Sequence, residues 1–313
     1  MKKRLSIFML IIFAVSFIGI SVVYSKGIFR SQDEDVQLRI DSKKEDEMPK
    51  RFRKTTDTIK DDDDLPNLTG LSSLNESGSA QFTTKNIGLM KEAIGDNIPI
   101  FIVDLRQESH GFINHFAVSW LGEDGKNKAN KGLTKEQVLK DENNKLKSIK
   151  LNEPITIKNK EIIPTEVQSE KELVEKHKMF YIRIPVTDNE KPSDEMVDYF
   201  IKLVKKLPQD GWMHFHCKAG IGRTTTFMVM YDIMRNGKNV SLEDIMERQV
   251  LLGGKNLLKP SYKPGSYSFE RAEFIKNFYK YVRENKDEFN TNWSKWIKAK
   301  GEVGVLDWSI KIA

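Results

Sequence analysis

The stretch that decides the fold of this 313-residue chain is His214-Phe-His-Cys217-Lys-Ala-Gly-Ile-Gly-Arg223-Thr-Thr-Thr-Phe227, which holds its only cysteine. Residues 212–216 form a short run typical of a buried strand, and after the loop large apolar side chains recur at helical spacing. The stretch therefore predicts a strand, a tight loop and the start of a helix. Such a loop directs backbone N–H groups inward and the helix dipole adds partial positive charge, so the loop can bind an anion.

Two side chains make this loop chemically reactive. The field of the loop and helix lowers the pKa of a thiol, and an unperturbed thiol with a pKa of about 8.5 is only roughly 3% thiolate at pH 7. Arg223 supplies a planar guanidinium that can bind two phosphate oxygens at once. A lone cysteine is normally a small buried apolar residue. Beside His216 and in a glycine-rich loop with an arginine, Cys217 is instead predicted to be a nucleophile.

The motif His216-Cys217-x5-Arg223-Thr224 resembles the signature of the cysteine-dependent protein tyrosine phosphatase superfamily. The wider match is to the bacterial phosphatase-like inositol phosphatases, also called cysteine phytases. The matching segments are 104–111, 117–120, 187–188, 207–230, 248–249, 253–254 and 278–282, with a weaker echo at 49–53. The resemblance implies an α/β, protein-tyrosine-phosphatase-like fold, in which helices flank a central mixed sheet and a small partial β-barrel domain is attached.

Patterns along the chain independently predict alternating strands and helices. Compact apolar runs at residues 100–105 and 180–186 predict core strands, and alternation over residues 150–165 predicts short strands. Helices are predicted to begin after Thr134, Ser193 and Ser241, and a final amphipathic helix to cover residues 269–282. This alternation is typical of an α/β sheet with helices on both faces.

We expect the chain to divide into four parts. The expected parts are a signal peptide or uncleaved membrane anchor (1–25), a charged segment contributing in part to the small β domain (26–66), a phosphatase domain with the small β-domain insertion at about 120–178 (67–300), and a C-terminal tail (301–313).

The N-terminus carries an export pattern. Lys2, Lys3 and Arg4 precede an apolar run of about 20 residues, which fits a cleaved secretory signal but is also long enough to span a bilayer. The folded part is therefore expected to be secreted or otherwise extracytoplasmic, with membrane or cell-wall attachment as the alternative. Residues 1–25 hold three positive and no negative charges, so the net charge of +6 falls to +3 without them. This mild excess does not favour nucleic acid, but suits a small polyanionic substrate.

Attack of Cys217 on a phosphate ester expels an alkoxide, so a proton donor is needed opposite the nucleophile. Asp188 follows a predicted core strand and occupies the position of the general acid in the resembled family. Thr224 is expected to donate a hydrogen bond to the thiolate, and His216 to orient the loop. The resemblance implies neither metal nor cofactor.

The other loop residues, Lys218, Ala219, Gly220, Ile221 and Gly222, are expected to surround the phosphate. The two glycines are predicted to adopt backbone angles that other residues disfavour. Further candidate substrate residues are Asp104, Arg106 and His110 at the pocket edge, Asn189 beside the acid, and Arg53, Lys259 and Lys263 for outer phosphates. A buried ion pair is the alternative for the pocket-edge residues, and solvated surface for the lone basic ones.

Two positions depart from the resembled family, in which many members carry Glu at the position of Lys218 and His at the position of Asn189. Lys218 adds positive charge, which favours highly charged phosphate esters. Asn189 cannot become cationic at low pH, so the expected acidic optimum and the preferred phosphate position do not transfer to this chain.

These observations predict a phosphomonoester hydrolase that acts stepwise on inositol polyphosphates through a phosphocysteine intermediate. A phosphotyrosine or phosphoinositide phosphatase is the alternative within the same class. An inactive phosphate-binding protein is the alternative of another class, although binding alone requires neither the Cys217 thiol nor the Asp188 carboxyl.

Overall fold

The computed structural model describes residues 37–59, 64–122, 126–208, 210–259 and 263–310, with side chains up to residue 301. The predicted signal or anchor at residues 1–25 lies outside the described residues, and so does the charged segment as far as residue 36. Within the described ranges, no helix is long and apolar enough to cross a membrane.

The strands and helices alternate along most of the chain. The strands are β1 (Gln37–Ser42), β2 (Arg53–Lys54), β3 (Glu76–Ser79), β4 (Ile100–Arg106), β5 (His110–Ile113), β6 (Phe116–Leu121), β7 (Ile155–Ile157), β8 (Lys160–Ile162), β9 (Val167–Gln168), β10 (Phe180–Val186) and β11 (Trp212–His216). The helices are α1 (Asn86–Ile94), α2 (Lys135–Ser148), α3 (Glu170–Lys176), α4 (Asp194–Lys206), α5 (Gly222–Asn236), α6 (Leu242–Leu251), α7 (Tyr267–Glu284) and α8 (Trp293–Ile310).

The central sheet has the strand order β10-β4-β11-β3-β2. Strands β10, β4, β11 and β3 are parallel to their neighbours, and β2 joins β3 antiparallel, so the predicted mixed sheet is confirmed. His216 at the end of β11 lies opposite Asp104 on one side and Ser79 on the other. The carboxyl ends of four parallel strands therefore meet at one edge, which is where α/β sheets place their ligands.

Helix α5 is the central helix of the core. Its side chains from Arg223 to Ile233 are all buried, and they pack with α4, α6, α7 and the sheet in one large apolar cluster. Complete burial of one large apolar side chain stabilises a fold by roughly 1.5–3 kcal/mol. The strand–loop–helix segment around Cys217 is therefore anchored at both ends by the most extensive packing in the described part of the chain.

The predicted helix starts agree with the observed ones. The Thr134 side chain accepts a hydrogen bond from the Gln137 N–H and completes a capping box at the start of α2. The Ser193 and Ser241 hydroxyls accept N–H bonds in the same way at the starts of α4 and α6. The predicted final amphipathic helix is α7.

A second, antiparallel sheet has the order β1-β6-β5-β9, and β7 and β8 form a separate hairpin. Among the described strands, β1 and β9 lie at the two edges of this sheet. The predicted limits of about 120–178 begin too late, because β5 and β6 already belong to this sheet from His110 onward. Strand β1, which lies within residues 26–66, joins this sheet through antiparallel pairing of Gln37 with Leu121.

Helix α8 was not predicted from the sequence. It begins at Trp293, inside the region assigned to the phosphatase domain, and continues to Ile310, through most of the expected tail. The Trp293 side chain is buried among aromatic rings of α7, including Phe274 and Tyr281, and anchors the start of α8.

Candidate active site

The loop from His216 to Gly222 joins β11 to α5, as predicted. Gly220 has a φ of +69°, and a Cβ at this position would lie 2.4 Å from the Ala80 nitrogen, so only glycine fits. Gly222 differs from the expectation because its φ is not positive. A Cβ at position 222 would instead lie 2.7 Å from Nη1 of Arg271, so a neighbouring guanidinium occupies this space.

Cys217 lies on the floor of the loop, with 3% of its surface exposed. Burial, the largest single influence, raises the pKa of this thiol. The positive charge of Arg223, the Thr224 hydroxyl and the N–H groups of Gly220 and Thr224 oppose it, and the net pKa of Cys217 lies below its ordinary value. The Thr224 hydroxyl lies 3.3 Å from Sγ, where it can donate a hydrogen bond to a thiolate.

Arg223 is fixed by a buried carboxylate. Its Nη1 and Nη2 donate to the two oxygens of Glu108 at 2.8 and 3.1 Å, and Nη1 also donates to the Val186 carbonyl at 3.0 Å. Burial raises the pKa of a carboxyl, but Arg223 and Arg106 lower the pKa of Glu108 to about 2. The guanidinium is therefore oriented by a carboxylate that stays ionised at neutral and mildly acidic pH.

Asp188 lies on the turn that follows β10, and 30% of its side chain is exposed. One carboxylate oxygen lies 3.1 Å from Nη2 of Arg223, and the other accepts a hydrogen bond from Asn127 at 3.4 Å. Asn189, next in the turn, adopts a φ of +68° and also donates to Asp188. The structure thus brings the predicted acid into contact with the loop arginine.

His216 is completely buried beneath the loop. Its Nε2 lies 2.6 Å from Oε1 of Glu170, the first residue of α3, and its ring lies 5.0 Å from that of Phe82. Burial raises the pKa of Glu170, but His216 and other neighbours lower it to about 2. An ionised carboxylate from the region of the small sheet therefore holds the residue that precedes the nucleophile.

The three predicted pocket-edge residues are buried in an ion-pair network. Arg183 donates to Asp104 at 2.6 Å, and His110 lies 3.1 Å from Asp104. Arg106 pairs with Asp41 and Glu108 and is also completely buried. The structure therefore corrects the expected substrate contacts of Asp104, Arg106 and His110: their polar groups are already occupied inside the protein, where they support the loop.

Part of this network has the spacing of a metal site. Ligand atoms of Asp104, His110 and Glu170 lie within 4.8 Å of one another. Burial lowers the pKa of His110, but Asp104 and other carboxylates raise it to about 10. Two cationic groups, Arg183 at 2.6 Å and protonated His110 at 3.1 Å, thus already neutralise Asp104 within this cluster.

Arg53 is also placed differently from the expectation. Its side chain is 3% exposed and donates to the Gly220 carbonyl and the Thr225 hydroxyl, so it supports the loop from behind instead of reaching an outer phosphate. Exposed Arg51 donates to the Ala219 carbonyl at the rim. Lys259 and Lys263 are exposed on either side of residues 260–262.

The loop side chain of Lys218 points toward the small sheet. Its Nζ lies 3.4 Å from Oδ1 of Asn127, an oxygen that also accepts from Arg39 of β1 at 2.9 Å. Asn127 therefore connects two cations and the Asp188 carboxylate. It was not identified from the sequence, because a lone asparagine in a polar loop carries no local signal.

Arg271 and Glu170 were also missed. Arg271 lies on α7, and its guanidinium reaches the loop at Gly222 and donates to the Glu190 carbonyl at 3.0 Å. Its position on the helix face of Phe274 and Phe278 was a usable signal, because a charged residue on a buried face requires a partner.

Known proteins resemble this chain in sequence and in fold. A family model named PTP-like phytase, and described as inositol hexakisphosphate, matches residues 129–235. The effector protein HopD2 of Pseudomonas syringae pv. tomato is 29% identical over 272 residues, which are 78% of this chain and 56% of that protein. This chain thus spans little more than half of that relative.

Two solved structures are similar over 84% of this chain. The PTP-like myo-inositol phosphatase of Mitsuokella multacida, in complex with myo-inositol-(1,3,4,5)-tetrakisphosphate, is 36% identical with a TM-score of 0.77, and this chain covers 49% of it. A PTP-like phytase of Bdellovibrio bacteriovorus is 32% identical with a TM-score of 0.70, and 94% of it is covered. Because nearly the whole length of the Bdellovibrio protein is matched, this chain belongs to the PTP-like phytase family.

Proposed function

We propose that this protein is a cysteine-dependent phosphomonoester hydrolase that removes phosphates stepwise from inositol polyphosphates. The observation that carries the proposal is the convergence of the Cys217 thiol, the Arg223 guanidinium and the Asp188 carboxyl at the carboxyl edge of the sheet. A protein that only binds phosphate has no need for a thiol with a lowered pKa or for a carboxyl beside the loop arginine.

In the first step, the Cys217 thiolate attacks phosphorus while Arg223 and the loop N–H groups bind the phosphate oxygens. The sulfur–phosphorus bond forms, and the bond to the ester oxygen breaks with its electron pair going to that oxygen. Protonated Asp188 gives its proton to the leaving oxygen, so the products are an alcohol and a phosphocysteine.

In the second step, water attacks the phosphocysteine and gives one proton to the Asp188 carboxylate. The sulfur–phosphorus bond breaks with its electrons returning to sulfur, and inorganic phosphate leaves. The Thr224 hydroxyl, 3.3 Å from Sγ, stabilises the departing thiolate. The cycle restores both Cys217 and Asp188 to their starting protonation states.

The preference for polyphosphorylated substrates rests on the charge around the pocket. Lys218 and Arg39 converge on Asn127 at one side, and exposed Arg51 lies at the rim of the loop. Lys218 and Arg51 can each neutralise a phosphate that is not reacting, and a monophosphorylated peptide carries no such phosphate. The Mitsuokella relative was solved with an inositol tetrakisphosphate, which supports the same substrate class here.

The test is phosphate release in EDTA from inositol hexakisphosphate, a phosphoinositide and a phosphotyrosine peptide, each with wild-type protein and with Cys217→Ser. We expect fastest release from inositol hexakisphosphate and none from the variant. Preferential turnover of the peptide or the lipid would refute the substrate class but leave the chemistry standing. Activity of Cys217→Ser would refute the mechanism itself.

We also propose that the protein acts outside the cytoplasm, on the export pattern of residues 1–25. HopD2, a relative, is named an effector protein, which agrees with export. Mass spectrometry of the N-terminus from culture medium and from the membrane fraction distinguishes a cleaved signal from a retained anchor. Recovery of the full chain from the cytoplasm alone would contradict the proposal.

A further inference from the structure

The segment that carries Asp188, residues 187–190, borders a cavity. We call it the acid loop. A half-open cavity of about 480 Å³ lies behind this loop and is lined in part by Thr187, Glu190, Pro192 and Met196. The acid loop therefore adjoins open space on this side, and its polar contacts contribute to its position.

Two of these contacts hold Glu190, at the end of the acid loop. Its carboxylate pairs with Lys131 at 2.6 Å, but the lysine is about half exposed, so this pair contributes little. Its carbonyl accepts a hydrogen bond from Nη2 of Arg271 at 3.0 Å. Because the Arg271 guanidinium is buried, its hydrogen bond to the Glu190 carbonyl is the stronger of these two contacts.

Arg271 comes from helix α7 and is only 6% exposed. Its Nη1 lies against Gly222, at the point where α5 begins, so one guanidinium touches both the phosphate loop and the acid loop. Burial and the nearby charge of Arg223 lower the pKa of Arg271, and Cys217 and Asp188 act in the opposite direction. A buried cation is thus held beside another cation, an arrangement that fold stability alone does not favour.

We propose that Arg271 is the positioning residue of the acid loop: its guanidinium fixes the loop relative to Cys217, so that Asp188 reaches the leaving oxygen. The inference rests on the proposed phosphatase function and adds to it. It assigns to α7 a part in proton transfer, although no residue of that helix needs to touch the reacting atoms.

The consequence is a dependence on the leaving group. A substrate with a strongly basic leaving oxygen needs the Asp188 proton, whereas the weakly basic p-nitrophenolate leaves without it. Loss of Arg271 should therefore slow phosphoryl transfer from phenyl phosphate much more than from p-nitrophenyl phosphate. The two esters share the same phosphate and nearly the same size, so a change in phosphate binding affects both equally.

The experiment measures kcat/KM for both aryl esters and for inositol hexakisphosphate. This constant reports the steps up to and including formation of the phosphocysteine. The variants are Arg271→Met, Arg271→Lys and Asp188→Asn. Arg283→Met is the matched control, because Arg283 lies on the same helix and also donates to a backbone carbonyl, that of Lys238, far from the loop. Circular dichroism melting establishes that each variant is folded.

We expect Arg271→Met to lower kcat/KM on the order of 10²-fold for phenyl phosphate and less than about threefold for p-nitrophenyl phosphate, the pattern of a lost general acid. Asp188→Asn should show the same pattern, Arg271→Lys should recover part of the loss, and Arg283→Met should change neither substrate.

Three results would overturn the inference. Equal losses for both aryl esters indicate a purely structural role. A loss with inositol hexakisphosphate alone indicates that Arg271 binds an outer phosphate. If Arg271→Met has a normal kcat/KM and an unchanged ratio of kcat/KM between phenyl and p-nitrophenyl phosphate, Arg271 has no part in the reaction. If wild-type protein hydrolyses none of the three esters, the proposed function fails instead.

Discussion

The guanidinium of Arg223 and the carboxylate of Glu108 form a completely buried, bidentate ion pair, with N–O distances of 2.8 and 3.1 Å. Glu108 also accepts a hydrogen bond from Arg106. One carboxylate therefore compensates two buried arginines and orients the one that is to bind phosphate. Its removal leaves two charges without a full partner, which is more damaging than loss of the whole network.

We predict that Glu108→Gln lowers the free energy of unfolding by about 3–5 kcal/mol, the usual effect of breaking a buried pair. Activity should fall as well, because without Glu108 the Arg223 guanidinium is no longer held in a fixed orientation. Urea unfolding and kcat/KM measure the two effects. Glu284→Gln, which removes an exposed carboxylate on α7, should stay within about 0.5 kcal/mol of wild type. Equal stability of the two variants would contradict the prediction.

The lowered pKa of Cys217 predicts an early onset of alkylation. The chain has one cysteine, so iodoacetamide reports this thiol alone. The rate should reach half of its maximum below pH 8.5, the ordinary value for a thiol. Arg223→Met should move the midpoint upward, because Arg223 is the largest influence that lowers this pKa.

Thr224→Val is expected to move the alkylation midpoint in the same direction but by less, since it removes one hydrogen bond and no charge. Lys298→Met is the control, because this exposed lysine of α8 carries the same charge without acting on the thiol. A midpoint that stays put in Arg223→Met would show that the loop N–H groups alone stabilise the thiolate.

The local features of the site could be predicted from the sequence, because their signals are local. The nucleophile loop follows from its spacing and glycines, and the helix starts follow from Thr134, Ser193 and Ser241. Asp188 was found through the resemblance, since an aspartate before a helix is otherwise an ordinary turn residue. In each case the information lies within a few residues along the chain.

The partners of the charged residues could not be predicted. Arg53 and Arg51 are two residues apart, yet one is buried behind the loop and the other is exposed at its rim. The pairs Arg223–Glu108 and His216–Glu170 join elements far apart in sequence, and several alternative pairings satisfy the same composition. Only the packing of the small sheet and α3 against the main sheet decides among them.

The raised pKa of His110 predicts loss of stability at high pH. Burial lowers this pKa, but Asp104 and other carboxylates raise it to about 10 in the folded protein, against about 6.5 in the unfolded chain. The folded state thus binds the proton more tightly, so the stabilisation is complete below pH 6.5 and is lost as the pH rises toward 10.

We therefore expect the free energy of unfolding of the wild type to fall between pH 6.5 and 10, measured by urea unfolding at fixed ionic strength. His110→Gln should be less stable than wild type at pH 6 and should show a flatter profile over this window. His177→Gln is the control, since this partly exposed histidine of the α3 end has only a carbonyl partner within α3. A parallel profile in His110→Gln would contradict the assignment.

The charge at position 218 should affect the choice among substrates more than the chemistry. Lys218→Glu reverses a charge beside Asn127 and Arg39, so binding of inositol hexakisphosphate should weaken by roughly tenfold or more, seen as a raised KM. p-Nitrophenyl phosphate, with a single phosphate, should respond much less. The difference should shrink as salt is added, because partly exposed charges are screened.

The two loop glycines are expected to differ in their tolerance of alanine. Gly220→Ala places a Cβ 2.4 Å from the Ala80 nitrogen at a φ of +69°. Neither the Ala80 backbone nor this φ angle can change without strain. We expect loss of activity with every substrate, and a decrease of about 1–3 kcal/mol in the free energy of unfolding. Gly222→Ala meets only the flexible end of Arg271.

Gly222→Ala should therefore fold nearly as well as wild type, but by displacing the guanidinium it should reproduce a weaker form of the leaving-group dependence expected for Arg271→Met. In the double variant with Arg271→Met, the added alanine should have almost no further effect, because the atom it displaces is gone. The measurement is kcat/KM for phenyl and p-nitrophenyl phosphate in all four members of the cycle. Fully additive losses would show that Gly222 and Arg271 act independently, against the contact between them.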